Sequence, residues 1–355
     1  DKMTALRLGS LFDGIGVFPL AAVHCGIEPV WASEIEARPI SITRRHFPDM
    51  LHLGDITKIS GAEVPPVDVI TFGSPCQDLS QIGTRNGFAG KKSSLFYQAM
   101  RIIEEMRYAT NGRYPAFCIW ENVAGAFSSN DRLDFAAMLR AFTGAEVSVP
   151  PRGWAHAGMV RGGRADTVWR LLDAQYWGEP ALVQRRKRVF VVADFAGQRA
   201  GEVLFKPRTV LPFSAIGSSG GLPATARGGV STAQTGRQVP IVRPFSLRRM
   251  RTMAQVGDQK GFCASFGRGG EPFPTLLASV TAPFSFWYEG EEPDGFLRVL
   301  TPLECERLMG LPENWTKYGC KDEEISDHAR YRALGNSIAL PCAEYVMAGI
   351  AEVMN

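Results

Sequence analysis

Residues 6–34 leave the chain few ways to fold. Leu6-Arg7-Leu8-Gly9-Ser10-Leu11-Phe12 reads as a buried strand, and Asp13-Gly14-Ile15-Gly16 as a tight glycine turn. Phe18 to Cys25 is apolar at helical spacing, and Gly26 is placed to end the helix as a C′ residue. Pro29-Val30-Trp31-Ala32-Ser33 forms a second strand, and Glu34 follows it. Strand, glycine turn, helix, strand and acid, in that order, open a doubly wound α/β sheet. In such a unit the glycines let a cofactor approach the backbone, and the acid accepts hydrogen bonds from ribose hydroxyls. The turn has no third glycine at the dinucleotide spacing, and Asp13 adds a negative charge beside it. A pyrophosphate is poorly served there, whereas a cofactor with a cationic or zwitterionic end fits.

A second stretch places a nucleophile at the same end of the sheet. Val67-Asp68-Val69-Ile70-Thr71-Phe72 reads as a buried strand that stops at Gly73-Ser74-Pro75, and Cys76 comes next. Ligands of open α/β sheets sit beyond the carboxyl ends of the strands, so a thiol there faces a crevice. A lone cysteine is more often a small buried hydrophobe; the neighbouring signals reverse that reading. Residues 78–92 are polar and interspersed with Gly83, Gly87 and Gly90, the composition of a mobile flap.

The rest of the first half alternates helix and strand. A helix from Ala37 to His46 stops at Phe47-Pro48. Asp55 either meets an adenine amino group or caps the turn after it. A helix is expected from Ser93 to about Tyr108, and a buried strand from Ala116 to Trp120 leads into Glu121-Asn122-Val123. Arg132 to Phe142 is helical, and strands are expected at Thr167–Asp173 and Val189–Ala193. Gln184-Arg185-Arg186-Lys187-Arg188 precedes the latter, so Arg186 and Arg188 should point to one face.

After about Ala196 the pattern changes. Residues 196–297 are rich in Gly, Ser, Thr, Pro and Arg, and read as a small, irregular, mostly β domain inserted between residues 1–195 and 298–355. Thr301 and Pro302 start a helix that ends before Gly310. Leu334-Gly335-Asn336-Ser337 reads as a turn, and Leu340 to Val353 as a closing helix.

Composition fits a folded enzyme. Of 355 residues, 45% are hydrophobic and 21% charged, enough for a sizeable core. The net charge of +3 is compatible with a nucleic-acid partner without requiring one. Seven cysteines, with no CxxC pair, point to free thiols in a reducing compartment and to no metal site. Neither a membrane span nor a signal peptide is expected.

Together these residues resemble the C5-cytosine DNA methyltransferase family. Phe12-Asp13-Gly14-Ile15-Gly16, Pro75-Cys76-Gln77, Glu121-Asn122-Val123, Gln184-x-Arg186-x-Arg188 and Gly335-Asn336-Ser337 appear in the family's order. Val183 departs from the family's usual proline. The resemblance implies a Rossmann-like α/β methyltransferase sheet with the inserted block as its target-recognition domain. It implies S-adenosylmethionine as methyl donor, held by Phe12, Asp13, Gly14, Gly16, Glu34, Asp55, Pro75, Leu95, Asn336 and Ser337.

The resemblance also implies the chemistry. Cys76 would add to C6 of cytosine, making an enamine of a ring that is otherwise too weak a nucleophile at C5. Glu121 would hold N3 and the exocyclic amine and deliver a proton, and Arg188 would bind O2. A free thiol is only a few per cent thiolate at neutral pH, so Cys76 needs cationic or dipolar help, for which Arg186 is the candidate. The cytosine must be flipped out of the duplex, with Ser80, Gln81 and Ile82 of the flap against the DNA and Gln81 or Ile82 filling the gap. Arg268, between two glycines, is the expected base reader, and Thr275-Leu276 resembles a pair found in the family's recognition domains. Expected partners are double-stranded DNA and a cognate restriction endonuclease, with the enzyme a monomer in a bacterial or phage-infected cytoplasm. A tRNA-modifying branch uses the same catalytic set. It carries a Cys-Phe-Thr tripeptide and a shorter insertion, neither of which is found here. A catalytically silent DNA-binding relative is disfavoured by intact Cys76, Glu121 and Arg188.

Overall fold

A computed structural model describes residues 5–74, 95–205, 241–245, 276, 284–288 and 296–355. Eight strands form one sheet: β1 (Arg7–Leu11), β2 (Glu28–Ser33), β3 (Leu51–His52), β4 (Val69–Phe72), β5 (Phe117–Val123), β6 (Ala157–Arg161), β7 (Asp166–Asp173) and β8 (Lys187–Asp194). Their spatial order is β3-β2-β1-β4-β5-β8-β7-β6. The first five run parallel, and β8 lies antiparallel to β5.

Helices cover both faces, as a parallel sheet requires. On one side α3 (Leu95–Ala109) and α4 (Leu133–Thr143) bury Phe96, Ile103, Phe135 and Phe142 against Phe72, Trp120 and Val191. On the other, α1 (Val17–His24) meets the carboxyl-terminal helices, α6 (Pro302–Leu308), α7 (Asp327–Asn336) and α8 (Leu340–Met354). The short helix α5 (Ala200–Leu204) lies in the stretch assigned to the insertion, yet Ala200, Val203 and Leu204 belong to this same core. Strands β9 (Ile241–Phe245), β10 (Phe284–Tyr288) and β11 (Phe296–Val299) form a separate antiparallel sheet, consistent with a mostly β insertion.

Local chemistry explains most element ends. Helix α2 (Ala37–His46) stops before Phe47-Pro48. Helix α6 opens with a capping box: the Thr301 hydroxyl accepts from the Glu304 amide, and the Glu304 carboxylate accepts from the Thr301 amide at 2.8 Å. Two elements differ from expectation. Strand β6 was not expected, because its alternate residues Gly158 and Val160 are only half-buried and give too short a pattern to register. The turn expected at Leu334–Ser337 is the last turn of α7 and its C-cap, Ser337. That helix lacks an apolar stripe, since its buried face includes Arg330, whose charge is paired with the buried carboxylate of Glu306 at 3.1 Å.

Candidate active site

The sheet register builds the site. Leu11 pairs with Ser33 on one side and with Phe72 on the other, and Phe72 pairs with Trp120. One rung beyond, at the carboxyl ends, stand Glu34, Phe12, Gly73 and Glu121. All four line a single cavity of about 670 Å³, together with Asp13, Gly14, Ser74, Arg188, Leu276, Asn336 and Ser337. Gly73 has a packing reason to be glycine: a Cβ there would lie 3.2 Å from Glu121 Oε2.

The cofactor end is built from the glycine turn. Gly14 and Gly16 have φ of 59° and 77°, left-handed values that favour glycine. The Gly14 amide donates to Glu34 Oε2 at 2.9 Å, while the amides of Ile35 and Glu36 donate to Oε1 at 2.7 and 3.0 Å. Glu34 is thereby fixed with lone pairs left for hydroxyl donors. Asp13 accepts from the Ser10 hydroxyl at 2.6 Å through Oδ1, but its buried Oδ2 has no hydrogen-bond partner. Burial, with the Glu34 charge adding to it, pushes the Asp13 carboxyl up to about 7 against the Ser10 hydrogen bond. An orphaned, desolvated carboxylate oxygen beside the turn fits a cationic ligand group and opposes an anionic one.

Across the cavity stands the second carboxylate. Glu121 lies on β5, and Arg188, at the start of β8, brings Nε to 3.1 Å from Glu121 Oε1. The two are an ion pair by distance, but the Oε1 atom lacks a hydrogen bond of proper angle. Burial raises the Glu121 carboxyl above its ordinary value; Arg188 and then Arg186 pull it back. Beside it, Asn122 Nδ2 donates to the Ser74 carbonyl at 2.7 Å and the Trp120 indole to the Ser74 hydroxyl at 3.1 Å. These bonds fix the end of β4, immediately before Pro75-Cys76, against the end of β5.

The expected residues divide accordingly. Phe12, Asp13, Gly14, Glu34, Asn336, Ser337, Glu121 and Arg188 line one cavity. Gly16 supports the turn from behind, packed toward Thr43 and Phe47. Asp55 takes its other reading: its side chain accepts from the Thr57 amide and hydroxyl at 2.9 and 2.8 Å and caps a short turn. Leu95 is exposed at the start of α3 and is not part of the cavity wall. Arg186 does not join Arg188 in the cavity; its guanidinium is buried on backbone carbonyls of Leu276, Gly335 and Ser337. Pro75, Cys76, Ser80, Gln81, Ile82, Arg268 and Thr275 lie outside the described residues. Of the other cysteines, Cys118, Cys305 and Cys342 are buried, and burial raises each thiol well above its ordinary value. No cluster of metal-ligating side chains occurs among the described residues.

One supporting residue escaped the sequence reading. The Trp315 indole donates to the Ile15 carbonyl in the glycine turn at 2.8 Å, and its ring stacks on His46 at 3.6 Å. Nothing local to Asn314-Trp315-Thr316 signals that contact, which spans most of the chain.

The model of the C-5 cytosine-specific DNA methylases matches residues 6–206 and 246–352. The chain belongs to that family. It is similar to the type II methyltransferase M.HhaI of Haemophilus parahaemolyticus, 23% identical over 368 residues that cover 100% of this chain and 97% of the relative. It is also 23% identical, over 465 residues, to a protein of Escherichia phage P1 named DNA N-6-adenine-methyltransferase. That match takes in 97% of this chain but 61% of the larger phage protein. A crystal structure of a DNA modification methyltransferase encoded within an E. coli prophage shares the fold, with a TM-score of 0.58 and 20% identity over 99% of this chain and 100% of the other. Membership makes the chain a C5-cytosine DNA methyltransferase by family. The unmatched residues 207–245 lie within residues 196–297, the stretch read from the sequence as an insertion.

Proposed function

We propose that this chain methylates C5 of a cytosine flipped out of duplex DNA, through a covalent bond between Cys76 and C6. The observation that carries the reading is the pair of unlike carboxylates in one cavity. Asp13 has an orphaned oxygen suited to a cation, while Glu121 is buried, biased toward its protonated form and paired with Arg188. Bound at the glycine turn, S-adenosylmethionine supplies the methyl group. Phe12, Gly14, Glu34, Asn336 and Ser337, which line that end of the cavity, would hold it, and Asp13 would face its positive charge.

The chain's residues do the rest. Cys76, two residues beyond the anchored Ser74, adds to C6. Glu121 donates to N3 as negative charge develops there, and burial, which raises its carboxyl, favours the protonated form that this step needs. Arg188 holds O2 and remains beside Glu121, limiting how far the acid is raised. When solvent takes the C5 proton, the electron pair of the C5–H bond forms the C5–C6 double bond and the C6–S bond breaks. The thiolate is expelled, and N3 returns its proton to Glu121. Extruding the base costs a few kcal/mol, met by contacts elsewhere on the DNA. Residues 196–297 choose the sequence, with Arg268 as a base reader, and Gln81 or Ile82 fills the vacated stack. The enzyme acts as a monomer in a bacterial or phage-infected cytoplasm, with or without a partner endonuclease.

The test is to incubate the protein with S-adenosylmethionine and duplex DNA, and separately with tRNA, and to identify the methylated nucleoside by mass spectrometry. The expected product is 5-methylcytosine in DNA. The phage P1 relative's name supplies the second reading, and N6-methyladenine as the product would replace the first with it. Methyl groups only in tRNA would move the substrate to RNA.

A further inference from the structure

Arg186 is among the largest fully buried side chains and reaches two distant segments of the chain. Its Nη1 donates to the Leu276 carbonyl at 2.8 Å, and its Nη2 to the Gly335 carbonyl at 2.9 Å and to the Ser337 carbonyl. Its own backbone is tied to β7: the Arg186 amide donates to Asp173 Oδ1, and the Ala174 amide to the Arg186 carbonyl, both at 3.0 Å. Burial and the Arg188 charge bring the guanidinium down to about 9, so it stays protonated at neutral pH.

The carbonyls it holds come from two segments with different tasks. Gly335 and Ser337 flank Asn336, and all three line the cofactor cavity. Leu276 belongs to the inserted block, yet its side chain is 6% exposed within the catalytic core and lines the same cavity. A guanidinium is a rigid planar fork whose N–H directions are fixed relative to one another. Displacing the Leu276 carbonyl therefore tilts the plane away from Gly335 and Ser337, and ordering it holds the plane in register with them. The Nε atom is buried without a hydrogen-bond partner, so it offers no alternative bond to hold the plane if one is lost.

From this we infer that Arg186 is a positioning residue that couples DNA engagement by the inserted block to cofactor affinity. The inference rests on the proposed function, in which that block grips DNA and the cavity takes S-adenosylmethionine. Coupling is reciprocal: DNA that fixes Leu276 tightens cofactor binding by the same factor by which cofactor tightens DNA binding.

Titration calorimetry with S-adenosylhomocysteine, with and without a duplex carrying the methylated site mapped for the wild type, reads the coupling directly. In the wild type the duplex should tighten binding by about 5- to 150-fold, the usual range for coupled sites. Arg186→Lys keeps the charge but loses the fork, and should bring that ratio close to one. Loss of affinity without loss of the ratio would make Arg186 merely structural and overturn the inference. A wild-type ratio of one would overturn it too. Should the variant not fold, hydrogen exchange of the wild type decides: duplex alone must protect amides 335–338, and failure to do so overturns the inference. Absence of any S-adenosylhomocysteine or DNA binding by the wild type would instead sink the proposed function beneath it.

Discussion

Arg188 Nε stands 3.1 Å from Glu121 Oε1 across the β5–β8 pair, with both side chains largely buried. The cation holds down a carboxyl that burial raises, and burial is the larger influence. Glu121→Gln should therefore lower kcat at least 100-fold, about 2.7 kcal/mol of transition-state stabilisation, with little change in base binding. Wild-type kcat/KM should fall on the alkaline side as Glu121 loses its proton, and that limb should vanish in the variant. The stability sign follows from the raised pKa. Its contribution is full below the unfolded value of 4.5 and is lost as pH climbs through the folded one. The part of the melting temperature's pH dependence that Glu121 contributes should accordingly vanish in Glu121→Gln, measured without ligands.

Asp13 titrates where assays are run. Its carboxyl is raised from 3.8 to about 7, so it passes from mostly neutral at pH 6 to mostly charged at pH 8. Affinity for S-adenosylmethionine should rise by up to about tenfold over that range, the limit set by the change in charged fraction. Asp13→Asn should flatten the profile. A wild-type profile already flat by calorimetry would dismiss Asp13 as the partner of the cationic group.

The anchored end of β4 runs directly into Pro75-Cys76, and Cys76 is the residue proposed for the covalent step. Duplex DNA with 5-fluorocytosine at the target should trap an adduct stable to denaturing gel electrophoresis, because fluorine does not leave as a proton does. Cys76→Ala should abolish it. Replacing Cys118, Cys305 or Cys342 with Ala should leave the adduct yield intact, since those thiols are buried and held far from ionisation.

Glu306 and Arg330 form a buried ion pair that also engages Thr316: the Thr316 amide donates to Glu306 Oε1 at 2.9 Å, and Arg330 Nε to the Thr316 hydroxyl at 3.0 Å. Arg330→Met should destabilise by about 3–5 kcal/mol, because it strands a buried carboxylate. The double change with Glu306→Leu should recover much of that loss in denaturant melts. Because Trp315 hangs from this network, the single variant should also bind S-adenosylhomocysteine more weakly.

Arg268 is expected to read a base. Bisulfite sequencing of DNA methylated by Arg268→Ala should show relaxed choice at one position, at a cost of about 1–3 kcal/mol. A uniform loss across all sites with a shallower salt dependence would make it a phosphate contact.

Sequence alone determined the elements whose causes are local. The strand–turn–helix–strand unit, the limits of α2 at Ala37 and His46, and the start of α6 at Thr301-Pro302 all follow from periodicity, prolines and caps within a few residues. The motif residues were legible for the same reason, as short runs at strand ends. Tertiary structure decided what those residues touch. Arg186 and Arg188 are two positions apart and similar in sequence, yet one is buried on carbonyls from two distant segments and the other faces the cavity. Asp55 and Glu34 both follow strands, but only Glu34 falls on the rung that lines the cavity. Trp315 reaches Ile15 because Glu306 and Arg330 hold its loop in place. Such outcomes depend on which distant groups desolvate one another when the layers close. That is a property of packing, and no window of neighbouring residues contains it.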